Sequence, residues 1–193
     1  MKKFELTTES IYLLGTKLFR IKALVTFGCV KKGELGGFVE KEENLDHTGS
    51  AWIFGNAKVY GNARVYRDAR VSGNANVYGN ARVYGNARVY GNAWVYGNAW
   101  VHGDEEVSGN AEVSGNQMHA TVKGFGSQYR NTTFFITRDR NICVNCGCFS
   151  GTLEQFRAKV KETHKDTKYA KEYLAIADLM EMHFKEELEK IKK

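Results

Sequence analysis

From Ala51 to Asn116 the chain repeats one six-residue unit, Ala-x-Val-Tyr-Gly-Asn, eleven times without losing phase. The valine slot is filled at every turn by Val or Ile, from Ile53 through Val59 and Val65 to Val113. The alanine slot departs once, at Glu105, and the glycine slot once, at Arg67; Asp68 and Asp104 replace the asparagine. A repeat this regular limits the fold to architectures that stack one supersecondary unit on the next. Ala and Val lie two residues apart, so in extended backbone they share a side and x faces the other way. β-branched Val favours a strand, and small Ala suits a narrow interior. Gly-Asn tolerates the left-handed backbone of a corner. Each hexad therefore reads as a short strand and a turn. Because every Val keeps one phase, the strands belong to a wound coil rather than to hairpins.

The repeat resembles the left-handed parallel β-helix of hexapeptide-repeat proteins, in which three hexads close one triangular coil. The resemblance supplies the hand; right-handed crossovers are the general rule for parallel strands. It also implies a homotrimer. With 18 residues per coil, residues i and i+18 stack ~4.8 Å apart, and the outward positions fall into columns. One runs Trp52, Arg70, Arg88, Glu106; a second Lys58, Asn76, Trp94, Glu112; a third Arg64, Arg82, Trp100. The slot after Val stacks Tyr60, Tyr78 and Tyr96 on one face and Tyr66, Tyr84 and His102 on another.

Like charges opposite one another on a sheet repel, yet Arg70 sits over Arg88 and Arg64 over Arg82. Trp52, Trp100 and Glu106 end those pairs and can offset the repulsion by cation–π contact or an ion pair. Three readings stay open. The columns form a self-satisfied surface ladder; they hold an anionic, ring-bearing ligand through Arg64, Arg70, Arg82, Arg88, Trp94, Trp100, Tyr78, Tyr84 and Tyr96; or a tyrosine column lies between subunits.

The net charge of +6 is unevenly spread. Residues 51–100 carry six Lys/Arg and one Asp, whereas 101–123 carry four acidic residues and one Lys. So weak an excess over the repeat argues against nucleic acid as partner. No apolar run is long enough for a membrane span, and the start Met1-Lys2-Lys3-Phe4-Glu5 lacks a signal-peptide core. The expected location is the cytoplasm of a bacterial host, where Cys29, Cys143, Cys146 and Cys148 stay reduced.

Outside the array, residues 1–44 read as an N-terminal β cap, 45–123 as the β-helix and 124–193 as a small α+β module. Leu18–Phe27 reads as a strand. Leu-x-Arg-Ile-x-Ala at 18–23, Gly-Gly-x-Val at 36–39, Asn44-Leu45 and Ala51-Trp52-Ile53 resemble the start of bacterial and phage hexapeptide proteins, some labelled as acyltransferases. The phase breaks at Gln117-Met118-His119 and resumes over Ala120–Lys123. Next come a linker at 124–127, a hairpin of Thr132–Thr137 and Ile142–Phe149, and a helix opened by Thr152 with Gln155 three residues on, a capping box. A second helix covers about Thr167–Ile191 with an apolar stripe. Gly147–Thr152 and Tyr169–Tyr173 resemble tails of uncharacterised phage proteins.

Two chemical readings are weaker. Cys143, Cys146, Cys148 and His164 are zinc-type ligands, but alternation sets Cys143 opposite the other two thiols. Coenzyme A-dependent acyl transfer, implied by the resemblance, needs a general base, and His119 in the phase break is the one candidate. No cofactor is expected. The preferred reading is a non-catalytic oligomer that captures an anionic, nucleotide-like ligand or a host protein, as a phage-encoded factor acting against host defence. An acyltransferase and an assembly scaffold are the alternatives.

Overall fold

The computed structural model describes residues 1–191. Eleven two-residue strands occupy the x-Val pairs of the repeat: β4 (Trp52–Ile53), β5 (Lys58–Val59), β6 (Arg64–Val65), β7 (Arg70–Val71), β8 (Asn76–Val77), β9 (Arg82–Val83), β10 (Arg88–Val89), β11 (Trp94–Val95), β12 (Trp100–Val101), β13 (Glu106–Val107) and β14 (Glu112–Val113). Every third strand pairs in parallel, giving three sheets that run β5-β8-β11-β14, β4-β7-β10-β13 and β6-β9-β12. The result is a three-sided parallel β-helix of about four turns, and the predicted columns are its registers. Arg88 lies opposite both Arg70 and Glu106, Trp94 opposite Asn76 and Glu112, and Arg82 opposite Arg64 and Trp100.

Backbone N–H groups donate from one coil to carbonyls of the next, as from Tyr60 to Val77 and Tyr78 to Val95, both at 3.0 Å. The repeat's Val and Ala side chains are fully buried, so the array's polar backbone is satisfied between coils while its apolar methyls fill the axis. At the corners the backbone is left-handed: Gly79 has φ +68°, and a Cβ there would stand 3.0 Å from the Gly97 nitrogen of the next coil. Outside the glycines, Asn80 donates to Asn98 at 3.2 Å and accepts from Asn62 at 3.3 Å, forming a ladder along the edge.

The β-helix begins earlier than the regular repeat. β1 (Phe4–Leu13) and β2 (Thr16–Ala23) form an antiparallel hairpin, and β3 (Leu35–Val39) follows. β3 pairs antiparallel with β2 on one side and parallel with β5 on the other. Val39, Leu45 and Ile53 bridge Val59, Val65 and Val71, so residues from about 36 already make a coil. Val39 is 20 positions from its partner rather than 18, the difference falling before Ile53. The β-helix therefore extends into the region assigned to the cap.

Asn44 is buried inside this irregular coil, its amide donating to the Gly61 and Ala63 carbonyls. Lys3 closes the open end. Lys3 is 3% exposed, and its ammonium donates to the Thr48, Gly49 and Ala51 carbonyls. Burial lowers its pKa to about 8 from 10.5, with Asp46 and Asp68 resisting the shift.

At the other end, β15 (His119–Val122), β16 (Thr132–Ile136), β17 (Ile142–Cys146) and β18 (Phe149–Thr152) form an antiparallel sheet in sequence order. Residues 119–122 thus belong to this module rather than to a resumed hexad. Thr152 caps α1 (Leu153–His164), accepting from the Gln155 N–H while the Gln155 side chain reaches back. In α2 (Lys168–Ile191) the stripe Tyr173, Ile176, Met180 and Phe184 is buried, so it serves as the module's own core. The module is tied to the last coils: Ala111 bridges Thr137, and the Arg138 N–H donates to the Asn110 carbonyl at 3.0 Å. Among the described residues, no helix is long and apolar enough to cross a membrane.

Candidate functional site

The three sides of the β-helix share an interior and differ outside, so the candidate site is a matter of which outward side chains have partners. On the β6-β9-β12 side, Arg64 and Arg82 are exposed and stacked, and Trp100 completes the column. The Arg82 guanidinium lies 5.0 Å from the centre of the Trp100 ring, the offset expected from the sequence. Alongside, the Tyr66 and Tyr84 rings are 4.9 Å apart and nearly parallel, and His102 stacks on Tyr84 at 5.3 Å. Arg67 holds φ +62° at the slot glycine fills elsewhere, and its guanidinium stands 5.8 Å from the Tyr84 ring. Burial and Tyr84 raise the Tyr66 pKa, while Arg82, Arg67 and Arg64 pull it back. Three cations therefore act on one phenol. Between the arginine column and the asparagine ladder lies an open depression of about 470 Å³, lined by Asn62, Arg64, Asn80, Arg82, Asn98 and Trp100.

On the β4-β7-β10-β13 side, Arg88 reaches Glu106 at 3.3 Å, again as expected. It is the only one of Arg64, Arg70, Arg82 and Arg88 with an ion pair among the described residues. Trp52 departs from the sequence pattern. It was expected to face outward over Arg70, but it is fully buried, with Phe27 and Phe4 edge-on against it at 5.4 and 6.3 Å. The N-terminal hairpin and its following loop cover this first rung, so Arg70 has no exposed aromatic end-stop among the described residues.

The third side is taken up by internal contacts. Tyr60, Tyr78 and Tyr96 stack at 4.9–5.0 Å, and the Tyr96 hydroxyl donates to Glu112 at 2.7 Å. Burial and that carboxylate push the Tyr96 pKa up to about 12. Trp94 remains exposed but meets Arg138 from the C-terminal module, whose guanidinium sits 4.5 Å from its ring and donates to the Asn92 carbonyl. Of the predicted ligand residues, Trp94, Tyr78 and Tyr96 thus sit apart from the Arg64–Arg82–Trp100–Tyr84 group.

His119 is 6% exposed, its Nε2 lying 3.2 Å from the carboxylate of buried Glu105. Burial alone would raise the Glu105 carboxyl, but His119 and the His102 N–H bring it below its usual value. This pair explains the one failure of the alanine slot: Glu105 points inward because His119 enters from the capping sheet to meet it. The neighbouring acids are similarly occupied, with Asp104 accepting from Asn86 and Asn131. The acidic last coil is where the module docks.

Cys143 pairs with Thr152 in register, and Cys146 with Phe149. Cys146, exposed Cys148 and His164 line one cavity of about 270 Å³, with Arg130, Phe156 and Tyr173 around them. Among the described residues, no group of three or more His, Cys, Asp or Glu is placed to hold a metal ion.

Residues 57–73, 69–85, 75–90 and 87–103 match the YdcK beta solenoid repeat. Each match begins on the alanine of a hexad, the phase in which the coils are built. The chain is a β-solenoid repeat protein. No match is found among curated proteins.

Proposed function

We propose that the protein is a non-catalytic binding protein that captures an anionic, ring-bearing ligand, such as a nucleotide, on the β6-β9-β12 side of its β-helix. The observation that carries this reading is the stacked pair Arg64 and Arg82, which has no acidic partner among the described residues and lies between a Trp100 end-stop and the Tyr66–Tyr84–His102 stack. Two guanidiniums one rung apart repel each other, and a bound phosphate or carboxylate removes that repulsion while gaining charge-assisted hydrogen bonds. The rings beside them supply stacking.

The left hand and homotrimeric assembly of the hexapeptide proteins that the sequence resembles belong to this reading. So does a phage or prophage setting in the bacterial cytoplasm, where capture of a nucleotide signal or a host protein would act against host defence. The buried position of His119 supports binding over acyl transfer, because a base must reach the acceptor.

The test is a thermal-shift and calorimetric titration with nucleoside monophosphates and diphosphates. The expected result is saturable stabilisation that Arg64→Ala and Arg82→Ala each weaken at least tenfold. Equal stabilisation of wild type and both variants would remove this side as the binding surface.

A further inference from the structure

The β4-β7-β10-β13 side carries a third aromatic column, and this one is interrupted. The slot after Val reads Phe54, Ser72, Tyr90 and Ser108 on this side. Its backbone register matches that of the tyrosine columns: Phe54 N–H donates to the Val71 carbonyl at 2.7 Å, Ser72 to Val89 at 2.9 Å, and Tyr90 to Val107 at 3.0 Å. In the uninterrupted column, rings on successive coils stand 4.9–5.0 Å apart and within 4° of parallel. Ser72 puts a hydroxymethyl group where that column has a ring. Two half-buried rings, Phe54 and Tyr90, are thereby left two rungs apart, ~9.6 Å, with one ring position between them.

The position is open to solvent and charged. A depression of about 430 Å³ is lined by Cys29, Phe54, Arg70, Ser72, Arg88 and Tyr90. Arg70 is the outward neighbour of Ser72 on the same strand face, two residues away, and has no ion pair among the described residues. Arg88 lies one rung on and shares its charge with Glu106. The loop after β2 contributes Cys29 at the rim.

We propose that this slot is a binding site for a planar aromatic ring carrying an acidic group. The ring completes the column between Phe54 and Tyr90, and the acid meets Arg70. Such a ligand takes the place that the repeat itself gives to tyrosine, in a frame already spaced for stacking. An unsubstituted anion leaves the aromatic walls unused, and a neutral ring leaves Arg70 without a partner. The site lies on a different side from Arg64 and Arg82, so it stands or falls separately from the proposed function.

The test is ligand-observed saturation-transfer NMR with adenosine monophosphate, benzoate and adenosine as probes, on the full chain carrying Arg64→Ala and Arg82→Ala, which removes the side of the proposed function. At least one of the two ringed anions is expected to bind this protein, and which one does so separates nucleotide from simple aryl acid. Adenosine is expected to bind at least tenfold more weakly than adenosine monophosphate where the nucleotide binds. In the same background Ser72→Tyr rebuilds the repeat's own column, so it should fold and abolish binding, while Ser72→Ala should leave binding unchanged. Arg70→Ala, which leaves the slot's shape intact, should weaken binding at least tenfold and covers the case of an unfolded Ser72→Tyr. The site is overturned if neither ringed anion binds, if binding survives Ser72→Tyr, or if it survives Arg70→Ala. Binding by wild type that is lost with Arg64 and Arg82 would overturn the site and leave the proposed function intact.

Discussion

Replacing Glu105 with alanine restores the interior residue that the other ten hexads carry, and a consensus rule expects such a change to stabilise. The structure predicts the reverse. Glu105 is 8% exposed, accepts from the His102 N–H at 2.9 Å, and faces the His119 Nε2 at 3.2 Å. His119 is buried as well, and its other ring nitrogen has no partner among the described residues. Alanine leaves a buried imidazole with neither nitrogen satisfied and a backbone N–H without its carboxylate. Removing one member of a buried pair costs about 3–5 kcal/mol, and the apolar gain from alanine returns about 1 kcal/mol. A net loss of about 3 kcal/mol corresponds to roughly 6–12 °C in a chain of this size. Thermal unfolding followed by circular dichroism at pH 7 measures it, and Glu105→Ala combined with His119→Phe should recover part of the loss. Because the folded Glu105 pKa lies below its ordinary 4.5, its contribution is complete above that pH and disappears as pH falls through the folded value. The gap between wild type and Glu105→Ala should therefore close in acid. A Glu105→Ala protein as stable as wild type at pH 7 would refute the reasoning.

Three further outcomes follow from the same contacts. Gly79→Ala forces a left-handed alanine against the Gly97 backbone and should cost about 1–3 kcal/mol, read as a lower urea midpoint. Lys3, with a folded pKa of about 8 against 10.5, binds fewer protons folded than unfolded between those values. Wild type should accordingly gain stability relative to Lys3→Met as pH rises from 8 to 9.5, in paired urea titrations. Arg138→Ala removes the cation over Trp94 and two hydrogen bonds to Asn92 and Asn110. It should destabilise by about 1–2 kcal/mol and raise amide exchange in β15–β18 before the coils.

The array was readable because its period is strict: the step of six places every Val on the axis, and the step of 18 gives each outward neighbour. The same arithmetic yields the column Phe54, Ser72, Tyr90 and Ser108, a signal present in the sequence but masked because its residues do not match. What was not readable depends on contacts between distant segments. Val39 and Leu45 belong to a coil whose 20-residue separation from Val59 and Val65 hides it from a fixed period of 18. Trp52 follows the outward pattern, yet it is covered because Phe4 and Phe27 arrive from the N-terminal hairpin. Glu105 is an interior charge only because His119 enters from a different sheet. In the C-terminal module, the capping box at Thr152 and the stripe from Tyr173 to Phe184 were local signals and gave the helices to within a residue or so. Arg138 over Trp94 was not local, and no spacing rule pairs them.

Native mass spectrometry of freshly purified protein tests the central claim most directly, with Ser72→Tyr, in which the other slot is closed, compared against Ser72→Tyr carrying Arg64→Ala and Arg82→Ala. The account predicts a trimeric Ser72→Tyr protein carrying a small-molecule mass of an anionic, ring-bearing compound, and a triple variant that assembles without it. Ser72→Tyr protein that is free of any such mass after exposure to nucleotides, or an adduct kept by the triple variant, would contradict it.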